Sequence, residues 1–119
     1  MYAIAVVVKE NRAKIIEGKC NEYIINRIRE FGEGSRMCEI GCILGDLLDH
    51  LDDPENSSLF ARIDKIIDVS AFEAYEHFIQ YASGVKGVPS IYGAHKGKTP
   101  LVFCCDDGFS FVGVVITRL

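Results

Sequence analysis

The strongest constraint on this chain is the apolar character of its two ends. Tyr2-Ala3-Ile4-Ala5-Val6-Val7-Val8 near the start, and Leu101–Cys105 with Phe109–Ile116 near the end, are apolar at odd and even positions alike. Successive side chains of a strand point to opposite faces, so these segments leave neither face to water. They read as interior strands covered on both sides. Lys9-Glu10-Asn11-Arg12 offers a turn into a second strand, Ala13 to Glu17, which Gly18 ends. Asp106-Asp107-Gly108 offers a turn between the last two strands, with Gly at the left-handed position. The two terminal hairpins are expected to share one sheet.

Between them the period changes. Asn21 to Phe31 carries Ile24, Ile25, Ile28 and Phe31 at helical spacing, with Gly32 as a stop. A second helix is expected from Met37 to Leu51, with a stripe of Ile40, Ile43, Leu44, Leu47, Leu48 and Leu51, and it must end by Asp53 because Pro54 follows. Asn56 or Ser57 can cap a third helical segment with Leu59, Phe60, Ile63, Ile66 and Ile67 on one face, although its β-branched residues would also suit a strand. Ser70-Ala71-Phe72-Glu73 is a capping box opening a fourth helix, with Ala71, Tyr75, Phe78 and Ala82 as its stripe and Gly84 as its end. Val88 to Tyr92 can form a short further strand. The expected fold is α+β: one domain over residues 1–119, a mostly antiparallel sheet of four to five strands, and about four helical segments packed on it. Helices on both faces, or a helix layer and a dimer, would cover it.

Charge and cysteine usage narrow the function classes. A formal net charge of −4 points away from nucleic acid, whose phosphates call for clustered Lys and Arg. No run approaches the ~18 apolar residues of a membrane span, and the first strand lacks the flanks of a secretory signal. Five cysteines, Cys20, Cys38, Cys42, Cys104 and Cys105, give an odd count without an export signal, which fits reduced thiols in a cytoplasm.

Three features could carry chemistry. Cys38 and Cys42 stand at i and i+4 on the second helix, about 180° from its apolar stripe. They could form a soft metal site or a reactive thiol pair. The same half of the helix holds Gly41 and Gly45, so a surface of small residues open to close packing or a partner groove accounts for them better. The Gly-rich run 84–98 holds Lys86, Ser90, Tyr92, His95, Lys96 and Lys98 without an acid, which could cradle a small anion, yet it matches no phosphate-loop pattern. Asp46 and Asp49 begin an acidic stretch that runs to Glu55. This segregation of charge favours steered association with a partner.

The run from Leu59 to Tyr92 looks like the second half of a thioredoxin-like domain. Ala61–Asp64 would stand for that family's third strand, Gly84–Ser90 is similar to its cis-proline loop, and Cys38 and Cys42 fall where the redox motif belongs. The resemblance implies thiol redox chemistry. It departs from the family in the Cys-x-x-x-Cys spacing, in the polar, Gly-rich segment before Cys38, and in lacking a final helix.

The reading that follows is a small non-enzymatic binding module without a cofactor, an adaptor or inhibitor acting on a protein partner, with homodimerisation as a second option. Its expected contact residues are Lys86, Ser90, Tyr92, His95, Lys96, Lys98, Asp46 and Asp49. The alternatives are a thiol- or metal-dependent redox enzyme or sensor using Cys38 and Cys42, and a small-anion or nucleotide sensor using the 84–98 loop.

Overall fold

A computed structural model describes residues 1–30, 37–82, 93–94 and 101–117, with the side chains of residues 28–30, 37–40, 93–94 and 101 outside that description. The strands are β1 (Tyr2–Lys9), β2 (Arg12–Cys20), β3 (Phe60–Val69), β4 (Gly93–Ala94), β5 (Leu101–Asp106) and β6 (Ser110–Thr117). They form one antiparallel sheet in the order β3-β2-β1-β6-β5-β4. The helices are α1 (Glu22–Glu30), α2 (Met37–Asp49) and α3 (Ala71–Ala82), with one 3-10 turn at Pro54–Asn56.

The two ends of the chain meet in the middle of this sheet. β1 pairs with β6 from Tyr2↔Thr117 to Lys9↔Ser110, and each of the two strands carries its own hairpin partner on the outer side. Both faces are covered by helices. Ala3, Ala5, Val7, Ile16, Val112, Val114 and Ile116 pack under Leu44 and Leu47 of α2, Leu51 just beyond its end, and Ile25 of α1. Val6, Val8, Ile15, Val102, Cys104 and Val115 pack under Ala74, Phe78 and Ala82 of α3. The strands are apolar throughout because each is sandwiched. Burying a side chain such as Phe78 contributes about 1.5–3 kcal/mol.

Local signals set the helix ends. Asn21 caps α1, its Oδ1 accepting from the Tyr23 N–H at 3.0 Å. Ser70 caps α3, its Oγ accepting from the Glu73 N–H at 3.2 Å. Of the expected α3 stripe, Phe78 and Ala82 are buried while Ala71 and Tyr75 pack at its margin. The β1–β2 turn is tight, closed by Lys9↔Arg12, and places Glu10 at φ 59°.

One expected helix is a strand. Residues 60–69 form β3, so the described helices number three rather than four. The cause is visible in the register, which shifts twice against β2, skipping Asp64 and Ala61. Each bulge adds a residue to the strand. Phe60, Ile63 and Ile66 therefore oppose Cys20, Gly18 and Ile16 on one face of the sheet, three residues apart. A doubly bulged strand thus acquires the i, i+3 spacing of a helix. Gly18 sits at one bulge because a Cβ there would lie 2.1 Å from the Arg62 carbonyl oxygen.

Gly113 is the second glycine fixed by packing. On β6 it faces α3, and a Cβ at that position would lie 2.3 Å from the Phe78 ring and 2.9 Å from Phe111. The absent side chain lets Phe78 lie on the sheet and meet Phe111 edge to face, centroids 5.1 Å apart. Gly113→Ala is expected to cost about 1–3 kcal/mol through overpacking, measured as a lower urea midpoint with an unchanged m-value.

Candidate functional site

α2 presents its apolar stripe to the sheet and its small residues outward. Leu44 and Leu47 are buried, while Cys42 and Asp49 are exposed. A Cβ at Gly41 or Gly45 would meet nothing within 4 Å among the described residues. The helix thus carries two glycines, each costing about 0.5–1 kcal/mol relative to alanine, that no described contact within the fold requires. The side chain of Cys38 lies outside the described residues.

Asp46, expected at a contact surface, is engaged inside the chain. Its Oδ2 accepts from the Ser58 N–H at 2.7 Å, the Ser58 hydroxyl at 2.8 Å and the Ser57 hydroxyl at 3.3 Å. His50 Nδ1 lies 2.9 Å from the Asp46 carbonyl and 3.3 Å from its carboxylate. This one carboxylate fastens the end of α2 to the turn that launches β3. Asp49 stays on the outer face.

The remaining expected contact residues, Lys86, Ser90, Tyr92, His95, Lys96 and Lys98, lie outside the described residues, as does the expected strand 88–92. The segment likened to a cis-proline loop falls there too. Ala61–Asp64 is a strand, as that likeness has it, but it lies on the outermost long strand of an antiparallel sheet beside β2.

The cysteines separate by environment. Cys104 is buried on the α3 side, and its neighbour Cys105 is half-buried on the α2 side, as alternation along a strand requires. Cys20 is fully buried, and burial pushes its thiol up to about 11. Among the described residues, no three His, Cys, Asp or Glu side chains gather into a metal site. No described helix is long and apolar enough to cross a membrane.

A cleft lies on the α2 side of the sheet, beside the β1–β2 turn. Arg12, Lys14, Asp52 and Asp68 line it with Leu51. Its cations are already paired, Arg12 with Asp52 at 2.5 Å and Lys14 with Asp68 at 2.6 Å. The cleft has no spare charge to offer an anion.

Among the described residues, the most exposed apolar side chains lie elsewhere. Phe109 is 86% exposed, Phe72 70% and Ile79 66%. Phe109 stands on the β5–β6 turn, where Gly108 takes the left-handed φ of 87°. Asp107 Oδ1 accepts from the N–H groups of Phe109 at 2.8 Å and Ser110 at 2.7 Å, and Asp107 Oδ2 accepts from the Ser110 hydroxyl at 3.0 Å. Asp106 accepts from the Gly108 N–H at 2.9 Å. The Phe109 carbonyl takes a further bond from the Glu10 N–H, 3.3 Å away. A large aromatic is therefore held out to solvent on a turn whose N–H groups, from Asp107 to Ser110, are all hydrogen-bonded. The sequence signal was its place directly after Asp-Asp-Gly, a turn position rather than a strand position.

Phe72 lies at the same end of the molecule. Val69, Ala13, Val8, Phe111 and Asp106 form one row across the sheet, and α3 begins immediately after that row. Tyr75, one helical turn beyond Phe72, packs on Phe111 at 4.9 Å. Burial raises its hydroxyl pKa, and so do the nearby charges of Asp106 and Asp107.

The chain matches no protein-family model, and no curated protein or solved structure is significantly similar to it.

Two outcomes are expected from these environments. In the folded protein, iodoacetamide should label Cys42 while Cys20 and Cys104 react only after denaturation, as read by peptide mass spectrometry. Gly41→Ala and Gly45→Ala should each stabilise the protein by about 0.5–1 kcal/mol in urea titrations.

Proposed function

We propose that this chain is a small non-enzymatic protein-binding module, an adaptor or inhibitor that works by occupying a partner. The observation that supports the reading best is Phe109, exposed on a turn whose backbone is already hydrogen-bonded. Aromatic anchors dominate the energetics of protein interfaces. Holding one in place beforehand removes part of the ordering cost of association. An aromatic that is 86% exposed contributes little to the fold, so its exposure favours a role in contact.

The thiols of Cys20, Cys42 and Cys105, none of them in a disulfide, support a reducing, cytoplasmic setting for this activity. The outward face of α2, with Gly41, Cys42, Gly45 and Asp49, is a second surface available to such a partner.

The reading is tested with affinity-tagged wild-type protein in extracts of the cells that make it, quantified by mass spectrometry against tag alone. At least one protein is expected to be retained with near-stoichiometric yield. Retention of nothing above the tag control would remove the reading.

A further inference from the structure

We infer that the end of the molecule carrying Phe72 and Phe109 docks a basic segment of another protein that inserts apolar side chains between them. This rests on the binding-module reading above and narrows it to one surface and one chemistry of partner. The apolar element comes from two separate parts of the chain. Phe109 projects from the β5–β6 turn, and Phe72 from the first turn of α3, with Ile79 continuing the same helical line at i+7. Tyr75 lies between them at i+3 and is half-buried against Phe111.

Charge at this end divides between the two sides of the sheet. Lys9, Arg12 and Lys14 alternate onto the α2 side with Val7 and Ile16, and there Arg12 and Lys14 are paired with Asp52 and Asp68. On the α3 side stand Glu73, Glu76 and Asp106, with Glu10 and Asp107 in the two adjoining turns. Glu76 is i+4 from Phe72 and so is its neighbour on the helix surface. Asp107 accepts three bonds from its own turn, and these hold its carboxyl below the usual carboxylate range. It is ionised throughout the physiological range. Among the described residues the aromatic pair is thus bordered by carboxylates, while Lys9, Arg12 and Lys14 face the other side of the sheet, the latter two in ion pairs. Apolar anchors with an acidic border are the complement of an apolar, Lys- or Arg-bearing ligand.

Size and charge select among occupants. Aromatic side chains bury about 150–250 Å² each, so this patch offers a few hundred Å², short of the roughly 800 Å² per partner of a standard globular interface. A short segment fits that area better than a folded face. A second copy would bring the same carboxylates against these across a two-fold axis, where like charges repel. An anionic lipid surface would be repelled for the same reason.

The test is selection of a phage-displayed random 12-residue peptide library on immobilised full-length protein. Enriched peptides are then synthesised and titrated by fluorescence polarisation. Enriched sequences are expected to combine Lys or Arg with aromatic or aliphatic residues. Their affinity should fall about tenfold or more for Phe109→Ala and for Phe72→Ala. Glu76→Lys should weaken them as well, and raising the salt from 0.05 to 0.5 M should weaken the wild-type complex, because exposed charge pairs are screened within roughly 4–14 Å over that range. Thermal melts matched to the wild type establish that each variant is folded, and Glu76→Lys and Glu10→Lys test the border independently of the aromatic residues.

Peptides that bind Phe72→Ala/Phe109→Ala as tightly as the wild type would overturn the proposed surface while leaving the binding-module reading intact. Enrichment of acidic or uncharged peptides would overturn the proposed partner chemistry. A concentration-dependent dimer abolished by Phe109→Ala would assign the surface to a second copy instead. Absence of any enriched peptide would overturn the inference, whereas failure of the broader reading is registered separately, by extracts in which the wild-type protein retains nothing.

Discussion

Pairing of β1 with β6 is the interaction on which the rest of the structure depends. It joins Tyr2–Lys9 to Ser110–Thr117 over their full length and places two strands with no polar face at the centre of the sheet. Neither strand could rest at an edge, where one face or one row of backbone groups meets water. Once they are joined, both faces of the sheet must be covered. α2 with α1 does this on one side and α3 on the other. The layered architecture follows from that single pairing, and so does the outward position of everything else: the turns at the sheet's end, the back of α2 and the bulged edge strand β3.

How much of this was legible in the sequence depends on how directly each residue pattern reports its surroundings. The strands at the two ends were legible because uninterrupted apolar sequence over seven or eight residues has few other uses. α3 was legible because Ser70 and Glu73 mark its start chemically as well as by periodicity. β3 was not, because register shifts at Asp64 and Ala61 convert strand alternation into a spacing of three. Pattern reading assumes one residue per step, and a bulge breaks that assumption without leaving a residue type that announces it. The β-branched Ile63, Ile66, Ile67 and Val69 were the better guide than their spacing.

The candidate site was less legible, for a different reason. Apolar residues are read from sequence as core, so Phe72 and Phe109 were absorbed into a helix and a strand. Only the structure separates an aromatic that packs, such as Phe78 or Phe111, from one that does not. Asp46 shows the converse. As one member of an acidic stretch it resembled a solvated contact residue, yet its carboxylate holds the turn at Ser57 and Ser58. Polar residues were sorted by charge, whereas the fold sorts them by which backbone groups need a partner.

Glycine has opposite meanings at different places in this molecule. At positions 18 and 113 a methyl group would collide with backbone or an aromatic ring, and at 41 and 45 it would meet none of the described residues. The central pairing has a temporal consequence as well. β1 leaves the ribosome with only β2 as a neighbour, and its other edge waits for a strand translated more than a hundred residues later. Until Ser110–Thr117 arrives, an interior strand and its hairpin mate are an exposed apolar ribbon, and closure of the longest loop in the chain is the step that ends that exposure.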